Sequence, residues 1–441
     1  MSTQSEQSPE SIAHLVHDSH PEGGLFANLD WRTAPAPFSL GKANAKRIEK
    51  YGRVFLQFYR AVNLLYRKSV EGKQPAWVAD WLERGKPADL IELQRHRAFK
   101  NALPRVIRPD LLLTETGFSV TELDSIPGGI GLTAWLNQTY SHTGTDVLGG
   151  ARGMIDGFAG IFGDAAKVHL VVSEESATYR PEMQWIAGQL DSERFRVRDA
   201  AFDDFQPGDA VYRFFELFDL ANVPNARRIF ELAREEKIRL TPPPKTIFEE
   251  KLLFALLWNR NLAEFWRQEL GGRFFKDLKS VVPYSWIIDP TPLPPNAAFP
   301  EINLTDWHQL KTLSQKQRDL ILKVSGFSET AWGARGVYLG SDLSTEDWSE
   351  AVDRAIRSAG TSPHVLQRFE KPTRVDASWF DLEAHEVKHM QARARICPYY
   401  FVHGDGDAAR AHFSGALATL CPADKKIIHG MSDAILAPCG E

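Results

Sequence analysis

The chain has 441 residues, 43% of them hydrophobic and 25% charged, with 52 basic against 57 acidic side chains and a formal charge of −5. This balance is that of an ordinary globular protein of about two to four domains, and it argues against a coat for nucleic acid or an anionic membrane. Three cysteines (Cys397, Cys421 and Cys439) make neither a disulfide framework nor a paired zinc knuckle, no apolar run approaches the ~20 residues of a membrane span, and the polar start lacks a secretory signal, so a reducing, cytoplasmic setting is expected.

Residues 1–40 are rich in Ser, Pro, Glu and His and are expected to form a loose tail or a strap over the surface. A helix is predicted from Lys42 to about Tyr66, with Val54, Phe55, Phe58, Val62 and Leu65 as its apolar stripe. Shorter helices follow over Ala76–Arg84 and Ala88–Ala102. Arg105–Leu113 and Gly117–Asp124 read as a hairpin. The Gly-rich Pro127-Gly128-Gly129-Ile130-Gly131 comes next, and residues 132–163 read as mostly helical. From Lys167 strands and helices alternate: Val168–Val172, Arg180–Leu190, Phe195–Arg198, Ala210–Phe215, Pro224–Glu236 and Ile238–Leu240, closed by Pro242-Pro243-Pro244. That pattern predicts a small wound α/β domain. A long helical region over Phe248–Leu270 and a proline-rich loop over Pro290–Pro300 lead to a strand at Leu320–Val324 and its return at Gly336–Gly340. Ser344-Thr345-Glu346-Asp347 opens a helix that Gly360 closes, His364–Phe369 is a strand, and residues 393–402 and 408–416 form another hairpin.

The first hairpin carries the densest chemistry. A three-residue loop Glu115-Thr116-Gly117 would put glycine at the left-handed position such loops favour. Thr114 then faces Phe118, Asp110 faces Glu122 and Arg108 faces Asp124, all on one side of the sheet together with Leu112 and Val120. Three carboxylates on a half-buried face are costly unless cations neutralise them. Arg108 supplies one charge. Either a hard divalent cation such as Mg²⁺ supplies the rest, or the acids form a salt-bridged rim without metal. Lys323 lies inside the apolar strand Leu320–Val324, where an anion is expected beside it. The loop after it, residues 325–336, has the small residues that let backbone N–H groups surround phosphates, or is simply a flexible hairpin tip. It does not match the Walker pattern.

In this order the segments resemble the circularly permuted ATP-grasp ligases of the glutathionylspermidine synthetase-like family. Arg108-x-Asp110, followed twelve residues later by Glu122-Leu-Asp124, is similar to the family's Arg-x-Asp … Glu-x-Asn, with Asp124 where Asn is usual. Glu250-Lys251 and the apolar run to Trp258 resemble the segment whose lysine contacts nucleotide phosphates, and Lys323 with its loop resembles the second lysine and flap. Gln367-Arg368-Phe369 is similar to the hinge strand by the adenine pocket, and Arg395–Phe401 and Ile428–Ala434 to the C-terminal sheet. The resemblance covers roughly residues 100–441. It implies an α+β fold: a glutathione synthetase-like ATP-grasp body, circularly permuted, with a small wound α/β domain. The expected divisions are 1–40 as tail, 41–163 as the first part of the body, 164–245 as the wound domain and 246–441 as the nucleotide-binding body. It further implies Asp110, Glu122 and Asp124 as ligands of one or two Mg²⁺, and Arg108 as the catalytic cation. Lys251, Lys323, Gly333, Gly336 and Gln367 would bind ATP. The partners would be a small-molecule or peptide carboxylate and an amine, with no nucleic acid or membrane. The family's amidase domain needs a cysteine near its start, and none precedes Cys397.

Two other readings compete. A silent relative would bind nucleotide or peptide without ligation. His385-Glu386-Val-Lys-His389 is a literal HExxH, which on a helix would bind zinc as a hydrolase. The Arg393/Arg395 alternation and Pro398 point instead to strand. Gly404-Asp-Gly406-Asp-Ala-Ala409 fits a loose dinucleotide pattern but is better read as a hairpin turn.

Overall fold

The computed structural model describes residues 8–23, 31–331, 335–428 and 433–441. The chain divides into two compact units, one formed by Met1–Leu56, Asn101–Pro243 and Lys371–Glu441, the other by Gln57–Lys100 and Pro244–Glu370.

The first unit holds two sheets. In the larger, strands lie in the order Arg32–Thr33, Ile435–Gly440, Arg410–Pro422, Glu386–His403, Val106–Thr114 and Gly117–Asp124. Val375–Asp381 pairs with the beginning of Glu386–His403, and Phe38–Ser39 with the end of Ile435–Gly440. The smaller sheet is wholly parallel, in the order Phe195–Arg198, Val168–Val172, Ala210–Phe214 and Arg239–Thr241. Every residue of Val168–Val172 and Ala210–Phe214 is buried. That is why these strands are largely apolar and do not alternate, apart from the buried His169 and Arg213. The two sheets share one core. Phe158 meets Phe162, Tyr212 and Phe401 edge-on, and Val168, Leu170, Trp135 and Tyr399 belong to the same cluster.

Residues 1–40 are expected to form a loose tail or a strap over the surface, and the described part is not loose. Pro9–Asp18 is a helix capped by Ser8, whose side chain accepts from the Ser11 N–H. Its Ile12 and Val16, four residues apart, enter the core. Burying two such side chains gains ~1.5–3 kcal/mol each, which contributes to holding this short polar segment on the core. Arg32–Thr33 and Phe38–Ser39 then join the large sheet in parallel with Ile435–Gly440. Pairing with a strand some four hundred residues away leaves no local signature.

The second unit is built on an antiparallel sheet ordered Val337–Leu339, Leu320–Val324, His364–Arg368 and Ser285–Ile287. The helix Thr345–Ser358 buries Trp348, Ala351, Val352 and Ala355 in its core. Ser344 caps that helix, accepting from the Asp347 N–H at 3.0 Å. The helical region predicted over Phe248–Leu270 is broken at Asn259, giving Leu252–Trp258 and then Ala263–Val281. The second helix kinks at Gly271, where φ is +69°. Among the described residues no helix is long and apolar enough to cross a membrane.

Candidate functional site

The acids of the first hairpin come together as their spacing predicts, by a different route. Arg108 faces Asp124 and Asp110 faces Glu122. The turn, however, has two residues: Thr114 faces Gly117, and Leu113 faces Phe118. A bulge at Thr121 restores the register beyond it. One extra residue on one strand shifts pairing by one. Phe118 and Val120 therefore share the face of Leu111 and Leu113, not the acid face.

On the acid face Arg108 bridges two carboxylates. Its Nε lies 3.0 Å from Asp110 Oδ1 and its Nη2 3.1 Å from Asp124 Oδ2. The Nε contact is close but too poorly aligned to count as a hydrogen bond. Arg108 Nη1 also donates to the Gly128 carbonyl at 3.2 Å. Two partners come from the neighbouring strand Glu386–His403. Arg395 Nη1 reaches Asp110 Oδ2 at 3.2 Å, and the Cys397 thiol donates to Asp110 Oδ1 at 3.4 Å. Burial, then the Asp110 charge, pushes that thiol up to about 12. Sequence reasoning did not place Arg395 and Cys397 in the site. The Arg393/Arg395 alternation marks a strand, but only the sheet order shows which acids that strand faces.

Burial pushes the Asp124 carboxyl up to about 6. Arg108 and the Ile126 N–H pull it down, while Glu122 and Asp110 push it up. Three carboxylates gathered on this face offer hard oxygen donors, so the donor set fits Mg²⁺ in kind. It is not a closed cage: the three acids do not each bring an oxygen within 4.8 Å of the others. Mg²⁺ characteristically uses one or two carboxylates together with substrate phosphates, and such an open set suits that mode.

The Gly-rich segment beside the acids is a packing device. A Cβ on Gly128 would lie 2.1 Å from the Tyr179 ring, and one on Gly131 2.5 Å from the Glu182 carbonyl. The helix Ile130–His142 thereby presses against Glu182, whose carboxylate accepts from the Leu132 N–H at 3.0 Å and the Gly129 N–H at 3.3 Å. Burial pushes this carboxyl up to about 7 in spite of those N–H groups. A raised acid pKa means the folded state holds its proton more tightly than the unfolded chain. The associated stability is complete below about pH 4.5 and is lost as pH rises through about 7. Glu182→Gln is therefore expected to flatten the wild-type loss of stability over this window by about 2–3 kcal/mol. Urea titrations at intervals from pH 4.5 to 7.5 would check it, and parallel wild-type and variant curves would contradict it.

The remaining predicted residues lie in the second unit. Lys323 is buried and donates to Gln367 Oε1 at 2.9 Å, while Gln367 Nε2 donates to Ser285 Oγ at 3.1 Å. The Gln367 amide is thus one partner of this buried ammonium. Lys251 precedes the helix Leu252–Trp258 and donates to the Ala331 carbonyl at 3.0 Å, placing its ammonium against the loop after Lys323. Gly336 ends that loop, where a Cβ would lie 2.6 Å from the Thr330 carbonyl. Gly333 lies outside the described residues. The structure thus groups Arg108, Asp110, Glu122 and Asp124 in the first unit, and Lys251, Lys323, Gln367 and Gly336 in the second.

The HExxH reading fails on secondary structure. His385 occupies a turn with φ +51°, and Glu386–His403 is a strand. On a strand, residues four apart are separated by ~13 Å, too far to share a zinc ion. Gly404–Ala409 is the turn between strands Glu386–His403 and Arg410–Pro422, as expected.

No family model matches the sequence, and no curated protein does so either. Among solved structures, a glutathione synthetase-like effector from Globodera pallida, in its apo form, matches over 98% of both chains with a TM-score of 0.58 and 11% identity. A Methylobacillus flagellatus structure described as a candidate gamma-glutamylcysteine synthetase gives a TM-score of 0.38 and 12% identity over 85% of each chain. The first match shows the fold: a mixed α/β architecture of the glutathione synthetase-like type.

Proposed function

We propose that the protein is an ATP- and Mg²⁺-dependent ligase of the ATP-grasp type that joins a carboxylate to an amine, in the circularly permuted manner of the glutathionylspermidine synthetase-like enzymes. The observation that carries this reading is the partly buried Arg108–Asp110–Glu122–Asp124 group. A fold otherwise avoids gathering acids in low dielectric, and positioned charge is what phosphoryl transfer needs.

In the reaction the substrate carboxylate attacks the γ-phosphorus of ATP, ADP leaves, and an acyl phosphate forms. The amine then attacks the acyl carbon, phosphate departs, and the nitrogen loses a proton. Bound Mg²⁺ supplies charge neutralisation at the phosphates. Asp110, Glu122 and Asp124 would hold it. Arg108, kept in place by two aspartates, would stabilise negative charge on the transferred phosphoryl group and on the tetrahedral species. Lys251 and Lys323 would bind nucleotide phosphates, with Gln367 orienting the Lys323 ammonium. Loop 325–336 would close over the nucleotide and keep water from the acyl phosphate. Asp124 in place of Asn keeps an oxygen donor and adds charge.

The test is ADP release by purified protein with Mg²⁺ and a panel of carboxylates paired with amines, glutathione and spermidine included. Amine-dependent ADP release with one pairing supports the reading. ATP binding by calorimetry with no turnover under any pairing would replace it with a nucleotide-binding protein without ligase activity.

A further inference from the structure

Glu10, His14 and His385 each bring one ligand atom to within 4.8 Å of the other two, and among the described residues this is the group of three such side chains so gathered. Glu10 and His14 are four residues apart on the helix Pro9–Asp18, so they share a face. The opposite face carries Ile12, Ala13 and Val16 into the core, which fixes the orientation of the pair. His385 comes from the turn joining Val375–Asp381 to Glu386–His403. Asp381 braces that turn by accepting from the N–H groups of Glu383 and Ala384 at 3.1 and 3.0 Å. His385 Nδ1 lies 3.1 Å from Glu10 Oε1. Two ligands of a tetrahedral ion with bonds of ~2.0–2.1 Å are about 3.3 Å apart, so this edge is already near coordination distance.

We propose that Glu10, His14 and His385 form a site for a first-row divalent cation of the zinc type, separate from the acidic hairpin. Two imidazoles and a carboxylate are the donor set that selects zinc over magnesium, and three protein ligands leave a fourth position for water. The Glu10 and His385 side chains are 52% and 65% exposed, so an ion can enter without unfolding. Once bound, it would tie the helix Pro9–Asp18 to the turn at His385. His389, the second histidine of the HExxH string, takes no part.

The full chain, freed of metal by a chelator and kept in excess Mg²⁺ to occupy hard-oxygen sites, is titrated with Zn²⁺ by calorimetry and with Co²⁺ by visible absorption. One equivalent should bind, with the d–d spectrum of a four-coordinate cobalt carrying nitrogen ligands. His14→Ala and His385→Ala should each weaken Zn²⁺ binding at least tenfold, and Zn²⁺ should raise the melting temperature of the wild type but not of these variants. His389→Ala should bind as the wild type does. Absence of binding to the wild type, undiminished binding by either His14→Ala or His385→Ala, or loss of binding in His389→Ala would overturn the site. All ligands are on the surface, and the unchanged circular dichroism of each variant separates loss of a ligand from loss of the fold.

Discussion

Glu122→Ala is expected to lower ATP turnover by a factor on the order of 10³ while leaving the protein folded. The rate effect follows from the role assigned to the residue: removing one preorganised electrostatic group from a phosphoryl-transfer site costs about 10²–10³ in rate, and a lost metal contact adds to that. The stability effect follows from its surroundings. Glu122 is half-buried, faces Asp110 across the hairpin, and is one of the charges that push the Asp124 carboxyl up to about 6. Its removal takes away one of the like charges acting on Asp124. Asp110 and Asp124 are poorer choices, because each pairs with a largely buried arginine and its loss would disturb that ion pair as well. The two readouts are therefore separate: activity falls, and the fold is kept. Undiminished product formation by the variant would remove the acids from the reaction. A collapse of stability would mean that they are a structural rim.

The acid pairing was legible because Arg108-x-Asp110 and Glu122-x-Asp124 flank an obvious turn, and two departures cancelled. The turn is one residue shorter than expected, and Thr121 bulges. Each shifts the register by one, in opposite senses. Strands Val168–Val172, Phe195–Arg198 and Leu320–Val324 were legible from short runs rich in β-branched and apolar residues. What stayed hidden is what the sheet assembles from distant segments. Arg395 and Cys397 reach Asp110 only because Glu386–His403 lies next to Val106–Thr114. Glu182 resembles any polar residue of a short helix, yet it receives the N–H groups that open the helix Ile130–His142. Strand Val375–Asp381 was missed, and with it the turn that presents His385. The lysine in the strand Leu320–Val324 stands out in the sequence because a buried ammonium needs a partner. Composition could not reveal that Gln367 on the adjacent strand is one partner.

Lys86→Met is expected to destabilise the second unit by about 3–5 kcal/mol, the usual cost of leaving one member of a buried ion pair without its counterion. Lys86 pairs with Glu250, and the two side chains are only 1% and 0% exposed. The other oxygen of Glu250 accepts from Ser325 Oγ, and Ser325 ties two neighbours together. Its carbonyl accepts from the Lys251 N–H at 2.9 Å, and its hydroxyl accepts from the Leu252 N–H at 2.9 Å. Gly326 packs so closely that a Cβ would lie 2.4 Å from the Glu249 carbonyl. One buried charge pair therefore holds the start of the helix Leu252–Trp258 against the start of the loop that follows Lys323. An apolar side chain at position 86 keeps much of the volume and removes the cation, so Glu250 must either stay ionised without its partner or take up a proton. Adding Glu250→Gln removes the orphaned charge, and the double variant should regain most of the loss. Urea titration gives the energies, and hydrogen exchange at the Leu252 amide reports locally, with faster exchange in the single variant than in the double. A double variant no more stable than Lys86→Met would show that the loss came from packing and not from the stranded carboxylate.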